Sequence, residues 1–398
     1  PFWLKEQQQL FQVKAVWMKR VTVIAKQMGA AKESLTRLEL GSDGIAKLVL
    51  TRPMKLNSLS LSMISGLKQQ YTDVVRSGAR CILLSGEGRG FCAGGDVAEV
   101  REGVLAGNTN PADFFFEEYQ LVHEIATLRQ SRGVLQIAVW DGIVMGGGVG
   151  LSIHSPIRIA TENTLFAMPE TAIGFFPDVG VTQALPNISA GPHIGTFLGL
   201  TGQRLRAADC LYAGIATHFC PTAKLAEAEQ RLRALGDGIA DLDRVSAAIC
   251  AAAGSDSPDT SKAVLATNAQ AIEQCFSGAT SAEDIVSRLE AQGSEWATGV
   301  LATLRSMSPT SVKVTLEAFR RHYRSPLKEA IIMEYRISQW FMRLQPNSDF
   351  CEGIRAVLVD KDNKPLWAPA SFEDVSEQKV EGFFAPLCAN HACGELQI

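Results

Sequence analysis

Residues 135–160 read Leu135-Gln-Ile-Ala-Val-Trp-Asp-Gly-Ile-Val-Met-Gly-Gly-Gly-Val-Gly-Leu-Ser-Ile-His-Ser-Pro-Ile-Arg-Ile-Ala160. Two apolar runs, 135–140 and 157–160, have the length of buried strands and are bounded by turn residues. Between them the cluster Met145-Gly-Gly-Gly-Val-Gly-Leu151 predicts a tight turn that opens a helix. Strand, glycine turn, helix and strand in so short a span point to an α/β core. Working back toward the N-terminus, the pattern predicts strands at 45–51 and 81–85. It predicts helices at 59–76, with Ser58 or Ser60 as N-cap, at 97–105 and at 113–128. The alternation continues to about residue 185.

From about residue 223 the composition shifts to Ala, Glu, Leu, Arg and Gln. Helices are expected at 223–235, 242–252, 262–276, 281–292, 294–305, 309–322 and 325–344, with a linker at Gly254-Ser-Asp-Ser-Pro258. The expected organisation is therefore a basic extension (1–35), an α/β core (36–222) and a helical C-terminal region (223–398).

The 398 residues are 46% hydrophobic and carry a net charge of −4, so the whole chain has no bulk attraction to nucleic acid or anionic membranes. Residues 1–32 differ, with Lys5, Lys14, Lys19, Arg20, Lys26 and Lys32 against Glu6. That composition fits a mitochondrial transit segment or its remnant; the plainer alternative is a surface helix packed on the body. Nine scattered cysteines without a Cys-x-x-Cys argue for a reducing compartment and against a disulfide framework or a zinc site. No metal or separate cofactor is expected. No apolar run approaches the ~18–20 residues of a membrane span, so no membrane partner is expected.

A second glycine cluster, Gly86-Glu-Gly-Arg-Gly-Phe-Cys-Ala-Gly-Gly-Asp96, follows the 81–85 run. Neither cluster has the spacing of a phosphate-binding loop or a dinucleotide fingerprint. Each can serve simply as a tight turn with a packing glycine. Each also exposes main-chain N–H groups at a helix start, and two such turns brought together make an oxyanion hole. A serine hydrolase is excluded by the absence of Gly-x-Ser-x-Gly. Cys92 and His154 lack a signalled partner and read as structural.

Downstream, Phe166-Ala-Met-Pro-Glu-Thr-Ala-Ile-Gly-Phe-Phe-Pro-Asp-Val-Gly180 places Glu170 and Asp178 in an apolar setting. A charge there is costly unless paired or used. The segment is either a buried loop with two satisfied carboxylates or a site where carboxyl pKa values are tuned for acid–base chemistry.

Taken together, several motifs resemble the crotonase (enoyl-CoA hydratase/isomerase) superfamily, and within it the 3-hydroxyisobutyryl-CoA hydrolase branch. They include Thr51-Arg-Pro-Met-Lys-Leu-Asn-Ser-Leu59, Phe91-Cys-Ala-Gly-Gly-Asp96, Glu117-Glu-Tyr119 and Met145–Ser152. Met307–Thr315, Met333-Glu-Tyr-Arg-Ile-Ser338 and Glu352–Asp362 extend the likeness into the C-terminal half. The resemblance implies a spiral of ββα turns and an acyl-coenzyme A substrate. It implies an oxyanion hole from the Gly95 and Gly147 amides, with Gly146 beside it, and a coenzyme A path lined by Lys55, Leu56, Leu59, Ala93 and Asp96. Glu170 would activate water or attack the thioester. Asp178 and Glu118 would bind the substrate's 3-hydroxyl or hold Glu170, although Glu118 alone reads as a solvated helix face.

Hydratases of this superfamily carry a Glu three residues after the second oxyanion glycine. Here that residue is Gly150, which turns the expectation from hydration to hydrolysis. Three departures from the branch are expected to reshape the acyl pocket: Arg129-Gln-Ser-Arg-Gly-Val-Leu-Gln136 where Lys-Pro is usual, Asp141 where His is usual, and Val181-Thr-Gln183 after Asp178-Val-Gly180. The resemblance also implies a mitochondrial matrix enzyme and leaves a homo-oligomer open, unless the C-terminal helices fold back on their own subunit. An alternative is a structural component of the mitochondrial ribosome small subunit, docked on ribosomal proteins and rRNA through residues 1–35.

Overall fold

The computed structural model describes residues 35–343, 348–388 and 391–398, so the expectations for the basic segment 1–32 lie outside the described residues. Residues 36–398 form one compact unit. Strands β1 (Thr36–Leu40), β2 (Ile45–Leu50), β3 (Cys81–Gly86), β5 (Leu135–Trp140), β7 (Ile157–Ala160) and β9 (His218–Phe219) form a six-stranded sheet in that order. It is parallel except for the β1–β2 pair. Strands β4 (Gly90–Cys92), β6 (Ile143–Met145) and β8 (Leu165–Ala167) form a second, parallel sheet.

Each β4, β6 or β8 strand directly follows a strand of the large sheet. The chain therefore steps from outer to inner sheet, turns through a helix or loop and returns. This is the ββα spiral expected from the sequence. The three inner strands went unread because three residues are too few to display an alternating pattern, and β4 and β6 lie beside glycine-rich turns as well.

Helices α1 (Leu61–Ser77), α2 (Val97–Leu105), α3 (Asn110–Arg132) and α4 (Gly147–Gly150) belong to the spiral. Ser60, not Ser58, caps α1 by accepting the Met63 N–H at 3.3 Å, and Gly78 at φ 75° ends it. The helix buries Met63, Ile64, Leu67, Tyr71 and Val74, the apolar stripe of a 3.6-residue period.

Short helices α5 (Val181–Ala184), α6 (Pro192–Thr201) and α7 (Ala207–Tyr212) lead out of the core. Next come α8 (Leu225–Ala234), α9 (Leu242–Ala253), α10 (Val264–Thr267), α11 (Ala269–Phe276), α12 (Ala282–Gln292), α13 (Glu295–Ser306), α14 (Pro309–His322), α15 (Leu327–Phe341), α16 (Asp349–Ile354) and α17 (Glu377–Gly382). The helix expected at 262–276 is interrupted at Asn268, whose side-chain amide turns back to the Val264 carbonyl at 2.8 Å.

The helical region shares its core with the sheet. Ile45, Leu83, Ile137 and Ile159 pack in one buried cluster with Leu232 of α8 and Val245 and Ile249 of α9. Farther on, the chain folds back over residues 170–180. The Phe175 ring meets Phe341 of α15 at 5.5 Å and Phe350 of α16 at 5.3 Å. A methyl group on Gly174 would overlap the Asp349 carbonyl, so α16 lies directly on this turn.

Candidate active site

The two segments expected to line a coenzyme A path are stitched together. Leu59 N–H donates to Gly94 O at 2.8 Å, Asp96 N–H to Leu59 O at 2.7 Å, and Ala93 N–H to Leu56 O at 3.0 Å. Leu56 and Asn57 both adopt left-handed angles, φ 50° and 56°. The fully buried Asn57 side chain locks that turn by bonding Arg52 N–H (2.7 Å), Glu87 O (2.9 Å) and Gly90 O (2.7 Å). Asp96 is committed to an ion pair with Arg52 at 2.9 Å, while Lys55 is exposed.

This stitching carries Gly94–Gly95 against the glycine turn of β6. A methyl group on Gly94, at φ 103°, would stand 3.5 Å from Gly147 N, and one on Gly147 would stand 3.4 Å from Gly95 N. Glycine is required at Gly94 by its positive φ, and at Gly147 because a methyl there would overlap Glu118 Oε1. Among the described residues, the N–H groups of Gly95 and Gly147 donate to no acceptor. Two free, adjacent donors are the geometry that stabilises a developing oxyanion.

Three carboxyl groups converge beside these donors. Glu118 lies on the buried face of α3 at 2% exposure, so its expectation as a solvated residue fails. Its Oε1 abuts Gly147. Glu170 begins a single 3-10 turn after β8, and its Oε1 lies 3.0 Å from where a Gly146 methyl would stand. Glu118 Oε1 and Glu170 Oε2 are buried without a hydrogen-bond partner among the described residues. Asp178 Oδ2 accepts the Tyr119 hydroxyl at 2.6 Å.

Burial, reinforced by the charge of Asp178, pushes the carboxyls of Glu118 and Glu170 well above the usual range. Burial raises Asp178 to about 7 even though Tyr119 pulls it down. The groups that perturb Glu118 and Glu170 are thus other carboxylates rather than cations. Such a cluster holds protons near neutrality and can pass them.

Gly150 is occupied from outside. A methyl group there would stand 2.5 Å from Val179 Cβ, so Val179 fills the space that a longer side chain at 150 would need. Val179 has φ 56°, an unusual angle for a β-branched residue, and is buried. Its turn is held by Glu334 of α15, which sequence reading did not single out as a site residue. Glu334 accepts the N–H groups of Gly180 (2.6 Å) and Thr182 (3.0 Å), and burial lifts its carboxyl to about 8. Its sequence signals are its place in the motif Met333–Ser338 and a Glu set in the stripe Ala330, Ile331, Glu334, Tyr335, Ile337, Ser338, which the structure buries.

The Ser152 hydroxyl is spent on the fold, and burial disarms Cys92 and His154, both read as structural. Ser152 Oγ accepts from Trp140 Nε1 at 3.0 Å and donates to Gly148 O at 2.9 Å. Burial pushes the Cys92 thiol to about 12, which leaves no thiolate. His154 is held near 4 by burial, its ring against Gly180.

Residues 45–384 match the family model described as Enoyl-CoA hydratase/isomerase. The chain is 42% identical to the 3-hydroxyisobutyryl-CoA hydrolase, mitochondrial, of Gallus gallus, over 93% of this chain and 95% of that protein. It is likewise 42% identical to the protein of the same name from Xenopus laevis, over 85% and 86%. Among solved structures it is similar to a carnitinyl-CoA dehydratase from Mycobacterium thermoresistibile. That match has a TM-score of 0.78 and 33% identity, and covers 92% of this chain and 99% of the other.

Proposed function

The chain belongs to the enoyl-CoA hydratase/isomerase family, and on that footing we propose that it hydrolyses acyl-coenzyme A thioesters, with 3-hydroxyisobutyryl-CoA as its substrate. The observation that carries the reading is the partnerless carboxyl of Glu170, set against Gly146 beside the Gly147 amide, while Val179 closes the place at Gly150 where a hydratase carries its other Glu. A hydration site that pairs Glu170 with a Glu at position 150 has no room there. The name carried by relatives at 42% identity supports the same choice.

In this mechanism the thioester carbonyl accepts hydrogen bonds from Gly95 and Gly147. Each such donor lowers the barrier by about 3–4 kcal/mol. Glu170 works by one of two routes. As general base it takes a proton from water while the water oxygen attacks the carbonyl carbon. The tetrahedral oxyanion then collapses, and the coenzyme A thiolate leaves with the proton from Glu170. As nucleophile it attacks the carbonyl itself and expels the thiolate, and water cleaves the resulting anhydride. Glu118 and Asp178 bind the 3-hydroxyl or orient Glu170.

All of these groups come from one chain. The two relatives are named as mitochondrial, and we place this protein in the mitochondrial matrix. The ribosomal alternative rested on residues 1–35 and gains nothing from the relatives reported above, none of which is named as a ribosomal protein.

The test is thiol release from 3-hydroxyisobutyryl-CoA by the purified protein, with acetyl-CoA and crotonyl-CoA as comparisons. Rapid release from the first alone is expected. Hydration of crotonyl-CoA without thiol release would sink the reading.

A further inference from the structure

Glu334 is a fully buried carboxylate whose hydrogen bonds, among the described residues, all go to one turn. It accepts the Gly180 N–H at 2.6 Å, the Thr182 N–H at 3.0 Å and the Thr182 hydroxyl. A desolvated carboxylate is unfavourable unless several donors converge on it, and here three do. The turn it grips is itself strained. Val179 and Gly180 are successive left-handed residues at φ 56° and 83°, a conformation that valine leaves readily when nothing holds it. On the other side of the turn, Tyr119 holds Asp178 at 2.6 Å. Val179 packs over Gly150, one helical turn beyond Gly147.

We propose that Glu334 is a positioning residue: by clamping Gly180 and Thr182 it sets Asp178 toward Glu118 and Glu170 and presses Val179 over Gly150 as a wall of the acyl pocket. The inference rests on the hydrolase reading above. It gives the helical C-terminal region a direct part in the reaction, since a residue 154 positions beyond Gly180 fixes the shape of the site.

Glu334→Gln keeps the side-chain volume but turns an N–H toward donors that need an acceptor. The turn then relaxes, Asp178 moves, and the wall beside Gly147 opens. The coenzyme A path is left as it was, so kcat falls while KM changes little. A widened pocket also discriminates less against a longer acyl group, whereas a merely structural lesion lowers activity on all substrates alike.

The experiment compares the unaltered protein, Glu334→Gln and Val179→Gly. Thiol release is measured from 3-hydroxyisobutyryl-CoA and from the homologue with one more methylene, and the crystal structure of Glu334→Gln is determined. Release by the unaltered protein tests the hydrolase reading alone. The φ angle of Val179 in Glu334→Gln tests the clamp, whatever that assay gives. We expect kcat of Glu334→Gln to fall about 10- to 100-fold with KM within about 3-fold. The preference for the shorter acyl group should drop about 10-fold in both variants, with Val179 no longer left-handed in Glu334→Gln. A left-handed Val179 in that structure, or a loss equal for both acyl groups, overturns the proposal. If Glu334→Gln does not fold, Thr182→Val removes one donor to the clamp and is read by the same three measures.

Discussion

Two polar knots lie on either side of the Gly147–Leu151 turn, equally hidden from solvent and opposite in character. In the first, Tyr71 donates to Gln136 Oε1 at 2.5 Å, and Gln136 Nε2 donates to Leu151 O and to Ser155 Oγ, both at 2.7 Å. Every polar atom of the Gln136 amide is used. In the second, Glu118 and Glu170 each keep a buried oxygen without a partner among the described residues, and the charges near them have the same sign. Gln136 and Glu118 are both 2% exposed, so burial does not distinguish them. Unfinished hydrogen bonding does. A fold that closes its accounts around Gln136 and leaves them open beside two free amides keeps the second place for a ligand.

The sharpest way to break that contrast is Glu170→Gln, which preserves shape and removes the charge. Turnover should fall about 10²–10⁴-fold, the usual contribution of a positioned acid–base group. The thermal midpoint should hold or rise, because one of several mutually repelling carboxylates is gone. Thiol-release kinetics and a melting curve on the same preparation read both. A fully active variant would remove Glu170 from the mechanism.

The opposite outcome is expected at the satisfied knot. Gln136→Leu strands the Tyr71 hydroxyl, the Leu151 carbonyl and Ser155 in the core, a loss of about 2–3 kcal/mol. Denaturant unfolding should show it as a lower midpoint, with kcat per folded molecule unchanged. Adding Tyr71→Phe should restore part of the stability, since replacing both partners is cheaper than orphaning one.

Much of this was legible in advance, and the omissions have physical causes. Strands β5 and β7 and helix α2 coincide with their predicted limits because uninterrupted apolar runs or clear periodicity end in turn residues. The glycine clusters and Glu170 were visible because a carboxylate in an apolar stretch, and glycines after strands, are locally anomalous. Glu334 was not, since its meaning depends on a turn 154 residues away. Val179 was unreadable for the opposite reason: nothing in a valine announces a left-handed residue, and only the clamp around it makes that conformation persist.

Asp178 sharpens the comparison through pH. Its folded pKa, about 7, is above the ordinary 3.8, so the native state binds the proton more tightly than the unfolded chain. Stability from this group is therefore complete below about pH 4 and is lost as pH rises toward 7. Asp178→Asn cannot titrate. Its stability advantage over the unaltered protein should widen by about 1 kcal/mol between pH 5 and pH 6, measured by denaturant unfolding of the ligand-free proteins. The same variant removes a charge that raises Glu118 and Glu170, so any residual activity should have its acid limb at lower pH. A pH-independent difference between the two proteins would mean that Asp178 is not strained by its burial.

The smallest effect is expected at Asp141, which stands where the resembled branch has His. Its Oδ1 accepts the hydroxyls of Thr161 and Thr222 and the amide of Asn163, all at 2.9 Å. This carboxylate ties the β5–β6 turn to the segments around Thr161 and Thr222, and all three of its donors are occupied. Asp141 thus resembles the Gln136 knot rather than the Glu170 cluster, and the substitution for His reads as a structural replacement with its own partners. Asp141→Ala should cost about 0.5–1 kcal/mol, because the partly exposed donors can turn to water, and should leave kcat and acyl preference within about twofold. A larger shift in acyl preference would show that this turn reaches the pocket after all, and that satisfied hydrogen bonding is not enough to mark a residue as structural.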